Sequence, residues 1–203
     1  MASYATNLPI NNTFSITAYF GQQGSYWKNG HKGVDLIGAN KKIYSVCDGE
    51  VTVVGYDENG WGRYVSVMPS GQPRVRFILC HLVKDSVKVK KGDKVSRLTV
   101  LGTMGSSGNS TGVHVHAEMR IDNTPVDITP YLLIPNKVAS NLKDTDFKFD
   151  PAYQNSAINA IIERFDNRGE SDQTATLLSK IEDLEKRLAL ANQKIENAKN
   201  ALN

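Results

Sequence analysis

The chain contains four histidines, His31, His81, His114 and His116, and their spacing makes them candidates for chemistry. One histidine alone is most often a hydrogen-bonded structural residue. In Thr111-Gly-Val-His-Val-His-Ala-Glu-Met-Arg120, strand alternation puts Val113, Val115, Ala117 and Met119 on one face and His114, His116, Glu118 and Arg120 on the other. Two imidazoles about 7 Å apart on one strand face can bind one metal together, or one can hold metal while the other moves protons. His31-Lys-Gly-Val-Asp35 adds an imidazole and a carboxylate four positions apart. With His116 they make two nitrogens and one oxygen, the donor set of one catalytic zinc ion whose fourth position is left for water. A structural zinc site would be closed and usually rich in cysteine, and calcium or magnesium would call for more carboxylates than cluster here.

His81 ends an apolar run, Leu79-Cys-His-Leu82. Alternation turns Cys80 away from the side His81 occupies, so Cys80 reads as a small buried residue rather than a ligand. Cys47 reads the same way, and without a secretory signal the two thiols are expected to be reduced.

The elements that must carry these residues are strands. From about Lys42 to Ile121 the chain is a series of short runs rich in Val, Ile, Tyr and Thr, broken by turn residues. Expected strands are 43–47, 50–56, 64–68, 75–81, 99–104 and 113–121, and Gly105-Ser-Ser-Gly-Asn-Ser-Thr-Gly112 is expected to be a loop. The His31–Asp35 segment falls just before the first of these. The fold class is mainly β, an antiparallel domain over 1–140. It is followed by a linker and amphipathic helix over 141–170 and a coiled-coil helix over 171–203. Asp150-Pro151 marks a helix start, and Ile158, Ile161, Ile162 and Phe165 recur at helical spacing. Leu177, Ile181, Leu184, Leu188, Ala191, Ile195, Ala198 and Leu202 then alternate at four and three, a heptad seam. In a parallel dimer Lys180 meets Glu185 favourably, while Lys194 faces Lys199, so self-association is expected with strand number and direction open.

Charge separates the two parts. Through Ser140 there are 15 Lys and Arg against 10 Asp and Glu, and after it 9 against 11. The basic excess includes Lys84, Lys88, Lys90, Lys91, Lys94 and Arg97, a cluster that could steer the protein toward an anionic surface, although a solvated face is the expected reading. Nucleic acid is excluded as a partner by the low net charge of +3 and the lack of any matching motif. No apolar run approaches a membrane span, and the N-terminus has neither a basic start nor an apolar segment.

Several of these segments occur in an order and combination that resembles the lysostaphin and LytM-type family of zinc endopeptidases, over roughly Thr17 to Leu132. They are His31-Lys-Gly-Val-Asp35, the Cys-Asp-Gly-Glu-Val51 turn, Gly60-Trp-Gly-Arg-Tyr-Val65, Cys80-His-Leu82, Val89-Lys-Lys-Gly-Asp-Lys-Val95, Gly105 to His116 and Pro125-Val-Asp127. The resemblance implies a zinc-dependent endopeptidase that cuts peptide bonds of bacterial peptidoglycan. His31, Asp35 and His116 would ligate the zinc, with His81 and His114 beside the attacking water. Leu79 stands where the family usually has Tyr, and neither it nor Cys80 is a ligand.

On that reading His114 is the general base and His81 donates a hydrogen bond to the oxyanion, with the two roles exchangeable. Tyr26, Trp27 and Trp61, in rim loops, are expected to line a substrate groove. Without an export signal, a phage lytic protein is expected. It would be made in the bacterial host cytoplasm and act on the wall as a released lysin or a virion component, its coiled coil joining copies or docking a virion partner. The alternatives are a non-catalytic module that binds peptidoglycan or activates another hydrolase, and a structural phage protein held together by its coiled coil.

Overall fold

Short alternating segments pair edge to edge because each buries one side of a pleated strand. The computed structural model describes residues 7–148 and 154–168. In chain order its elements are β1 (Thr13–Ala18), β2 (Val34–Gly38), β3 (Lys42–Tyr44), β4 (Gly49–Asp57), β5 (Gly62–Pro69), β6 (Val75–Leu82), β7 (Lys94–Val95), β8 (Val100–Thr103), β9 (Val115–Ile121), β10 (Thr124–Val126), α1 (Thr129–Leu132) and β11 (Ala139–Lys143). Residues 154–168 form a further helix, α2. One sheet runs β11-β1-β2-β9-β6-β5-β4-β7, with β10 pairing β9, while β3 and β8 form a separate two-stranded ribbon. Every pairing is antiparallel, as expected.

The core lies on one face of this sheet. Val115, Ala117, Met119 and Ile121 of β9 and Val75, Phe77 and Leu79 of β6 are all buried. Their register matches: Val75 faces Ile121, Phe77 faces Met119 and Leu79 faces Ala117. Tyr131 from α1 packs on Phe77 with ring centroids 4.6 Å apart, and its hydroxyl donates to the Val46 carbonyl at 2.9 Å. Burying that ring therefore leaves no polar atom without a partner. Cys47 and Cys80 are buried and unbonded to each other, and burial pushes the Cys47 thiol up to about 12.

The sheet is larger than the sequence suggested. β1, β2, β7, β10 and β11 were not expected as strands, and Asp35 lies within β2 rather than ahead of the first strand. β11 runs across residue 140, the expected domain edge, and pairs with β1. The last site-bearing strand begins at Val115, and Val113 is exposed in the preceding loop instead of sharing the core face. Arg97 does not belong to the solvated basic face. It is buried, donating to Asn7 Oδ1 at 3.0 Å and to Asp48 Oδ2 at 3.3 Å.

The chain divides into units of residues 1–160 and 161–203. Within the first, α2 begins against the sheet domain, where Gln154 Oε1 accepts from the Asp48 N–H at 3.0 Å. The expected coiled coil over 171–203 lies outside the described residues. Among the described residues no helix is long and apolar enough to cross a membrane.

Candidate metal centre

Asp35 and His116 meet because β2 and β9 are neighbours in which these two residues are directly opposed, and opposed residues on one face bring their side chains together. His31 arrives from the preceding loop, whose backbone is tied by Gly21 N–H to His31 O and His31 N–H to Gln22 O, both 2.8 Å. The loop closes tightly on β9 at Gly33, where any Cβ would lie 2.3 Å from the Ala117 carbonyl oxygen. A side chain there would push His31 away from its partners, which is why glycine occupies the position.

The three polar atoms form a small triangle. His31 Nε2 lies 3.0 Å from His116 Nδ1, His116 Nδ1 lies 2.8 Å from Asp35 Oδ1, and His31 Nε2 lies 3.2 Å from Asp35 Oδ1. Among the described residues this is the group able to hold a metal ion. Ligands about 2.0–2.1 Å from a tetrahedral zinc stand a little over 3 Å from one another, so two imidazoles and a carboxylate at these separations suit such an ion. The remaining nitrogens fix the rings: His31 Nδ1 donates to the Tyr19 carbonyl at 3.1 Å, and His116 Nε2 donates to Glu118 Oε1 at 3.0 Å.

Electrostatics follow from this packing. Burial would raise the Asp35 carboxyl, but the His116 and His31 rings packed against it hold it well below the usual carboxylate range. Burial disfavours charge on His116, yet Asp35 and Glu118 both accept from it and lift it to about 9. Without a metal, a proton on this ring sits where a cation would.

His81 and His114 stack beside the triangle with ring centroids 4.6 Å apart. His114 Nδ1 donates to the Gly112 carbonyl at 2.9 Å, and its Nε2 lies 3.7 Å from Asp35 Oδ1. His81 Nδ1 donates to the Ser107 carbonyl at 2.8 Å. His81 reaches this face through a break in alternation. Arg63 pairs Leu82 while Val65 pairs Leu79, so Cys80 and His81 oppose one residue of β5, and His81 has φ of 62°. Such a bulge with a left-handed residue turns the side chain off the core face that Leu79 occupies. Burial, with the charges of His114 and His116 opposing a further one, lowers His81 to about 4.

These residues floor a groove of about 350 Å³ that Tyr26, Trp27 and Trp61 also line. Tyr26 is 73% exposed, and Trp27 lies on His31 with ring centroids 4.6 Å apart. Trp61 donates from Nε1 to Glu118 Oε1 at 2.9 Å. All eight residues singled out from the sequence thus border one groove. Glu118 also lines it and was not singled out; the signal was its place two residues beyond His116 on the same strand face.

The antiparallel sheet is that of a LytM-type β domain, and the donor triangle and flanking imidazoles lie in its groove. Residues 29–128 match Peptidase family M23, and over that stretch the chain resembles the LytM and lysostaphin type. It is 35% identical over 117 residues to the peptidoglycan DD-endopeptidase ShyB of Vibrio cholerae, covering 56% of this chain and 26% of ShyB. It is 29% identical over 107 residues to the glycyl-glycine endopeptidase ALE-1 of Staphylococcus capitis, covering 50% and 29% of the two chains. The crystal structure of a zinc-containing peptidase from Vibrio cholerae matches with a TM-score of 0.53 at 28% identity, over 61% of this chain and 39% of that one. The chain spans under a third of the length of either curated relative.

Proposed function

We propose that this protein is a zinc-dependent endopeptidase that hydrolyses peptide bonds in bacterial peptidoglycan. The observation that carries the reading is the triangle of His31 Nε2, Asp35 Oδ1 and His116 Nδ1, floored in an open groove beside two further imidazoles. The named activities of ShyB and ALE-1 support the substrate class. His31, Asp35 and His116 would hold one zinc ion, which when bound polarises the scissile carbonyl and makes water a nucleophile near neutral pH.

The other two histidines handle protons. In each, Nδ1–H is committed to a backbone carbonyl, so in the neutral ring Nε2 carries the free lone pair. His114 Nε2, the nearer to Asp35, takes a proton from the attacking water and returns it to the leaving amine. His81 was expected to donate to the oxyanion. Its one N–H is given to Ser107 and burial keeps the ring neutral, so it first accepts a hydrogen bond from the water and orients it. Tyr26, Trp27 and Trp61 line the groove, which an extended peptide would enter.

The test is digestion of purified Gram-positive and Gram-negative walls. The expected result is cleavage that a chelator abolishes and Zn²⁺ restores, with mass analysis of the fragments naming the bond. Sacculus binding without release of fragments by the zinc-loaded protein would overturn the reading in favour of a non-catalytic module.

A further inference from the structure

His31, His81 and His114 each give their anchoring N–H to a backbone carbonyl, and His116 does not. Because His116 turns Nδ1 into the donor triangle, Nε2 is the nitrogen left to be anchored, and a side chain supplies the acceptor. Glu118 Oε1 accepts from it at 3.0 Å. Glu118 is 2% exposed, a position where an unpartnered carboxylate would be costly. It is fully engaged: Oε1 also accepts from Trp61 Nε1 at 2.9 Å, and Oε2 accepts from Arg120 Nε at 2.7 Å. Arg120 in turn lies over the Trp61 ring, its guanidinium carbon 4.9 Å from the centroid. One carboxylate therefore joins the ring of a proposed ligand to a wall of the groove.

We infer that Glu118 is a positioning residue of the metal site. It holds His116 with hydrogen on Nε2 and the lone pair of Nδ1 aimed at His31 and Asp35, and Trp61 and Arg120 hold Glu118. This rests on the reading of His31, Asp35 and His116 as zinc ligands. A carboxylate that served only to pair Arg120 would have no influence on which His116 nitrogen carries hydrogen. One that orients a ligand sets both that choice and the affinity for the ion, and losing such a partner typically weakens metal binding about 10–100-fold.

Two measurements on the full chain test this: zinc affinity by chelator competition, and imidazole ¹⁵N NMR of the zinc-loaded protein. Glu118→Gln keeps an oxygen for His116 Nε2–H, so it retains the wild-type His116 signal and most of the affinity. Glu118→Leu removes the acceptor at similar size, so it binds zinc about 10–100-fold more weakly and loses the protected Nε2–H signal. Trp61→Phe removes the indole N–H that Glu118 accepts, while keeping an aromatic ring beneath Arg120, and weakens zinc binding measurably, although Trp61 is no ligand. A folded Glu118→Leu chain with wild-type affinity, or a Glu118→Gln chain as damaged as Glu118→Leu, overturns the role of Glu118. Should Glu118→Leu fail to fold, Trp61→Phe decides, and unchanged affinity there overturns it. A wild-type chain that takes up no zinc overturns the underlying zinc reading instead.

Discussion

Each imidazole in the groove gives one ring N–H to an oxygen, and the nitrogen left over decides what that ring can do. His31 is left with Nε2 and His116 with Nδ1 in the donor triangle, whereas His81 and His114 are left with Nε2 beside it. The division of labour predicts different losses on truncation. His116→Ala removes a donor atom and should lose both zinc, measured by elemental analysis, and activity. His114→Ala should keep zinc and lose about 10²–10⁴ in turnover; equal zinc loss in the two would contradict the assignment. The raised His116 sets a second expectation. Its folded-state value is about 9 against an ordinary 6.5, so in the metal-free chain its stabilisation is complete below pH 6.5 and disappears as pH climbs through 9. His81, lowered to about 4, acts in the opposite sense, and the unfolded chain gains the proton as pH falls from 6.5 toward 4. As far as these two rings govern it, metal-free stability should peak near pH 6.5 and fall on both sides, each ring contributing at most about 1.4 kcal/mol per pH unit, as thermal melts across pH 4–9 would report. A zinc ion held by His116 would have to displace that proton, so its apparent affinity should strengthen from pH 6.5 toward 9, and a flat chelator-competition profile would count against that proton.

At the scale of elements, two strand features make the site: the facing of Asp35 and His116 across β2 and β9, and the bulge that swings His81 out of the core. The second depends on the loop after β8. Ser107, whose carbonyl holds His81, also accepts the Arg63 N–H on its hydroxyl at 2.9 Å, and this contact is possible because Gly62 has φ of 59°. A Cβ on Gly62 would stand 2.2 Å from the Ser107 carbonyl oxygen. Gly62→Ala should therefore destabilise the fold by about 1–3 kcal/mol. It should also displace the His81 anchor, cutting turnover while zinc content stays at the wild-type level; loss of zinc instead would mean that the loop supports the triangle itself. The same features explain what the sequence made legible. β9 could be read because Val115–Ile121 alternates cleanly, and that alternation also aligned His116 with Glu118. β2 was hidden because a charged residue, Asp35, sits among its buried positions and a glycine ends it, and β1 because Thr13, Ser15 and Thr17 dilute a short alternation. The bulge could not be read at all, since a left-handed histidine carries no signature in residue type. The donor set was legible because its chemistry lies in residue identity, whereas ring orientation depends on carbonyls of Tyr19, Gly112 and Ser107 that sequence spacing does not locate.

On the scale of the whole molecule, the groove lies within residues 1–160, and the heptad seam from Leu177 to Leu202 lies in the second unit, outside the described residues. The two therefore make separable predictions. We propose that this segment pairs helices, with Ile181 at an a and Leu184 at a d position of the sequence pattern, because a lone apolar stripe would be left exposed to water. Leu184→Lys sets a charge in that seam and substitutes none of the residues that line the groove. Sedimentation over a range of concentrations should find the wild-type chain above its monomer mass of 22.4 kDa and the variant at that mass. Turnover of a soluble peptide, counted per chain, should be equal in the two. A wild-type chain that sediments as a monomer at every concentration would remove self-association from the account of the tail. A variant that dissociates and also loses peptide turnover would mean that the groove depends on assembly, which the complete set of donor atoms within one chain argues against.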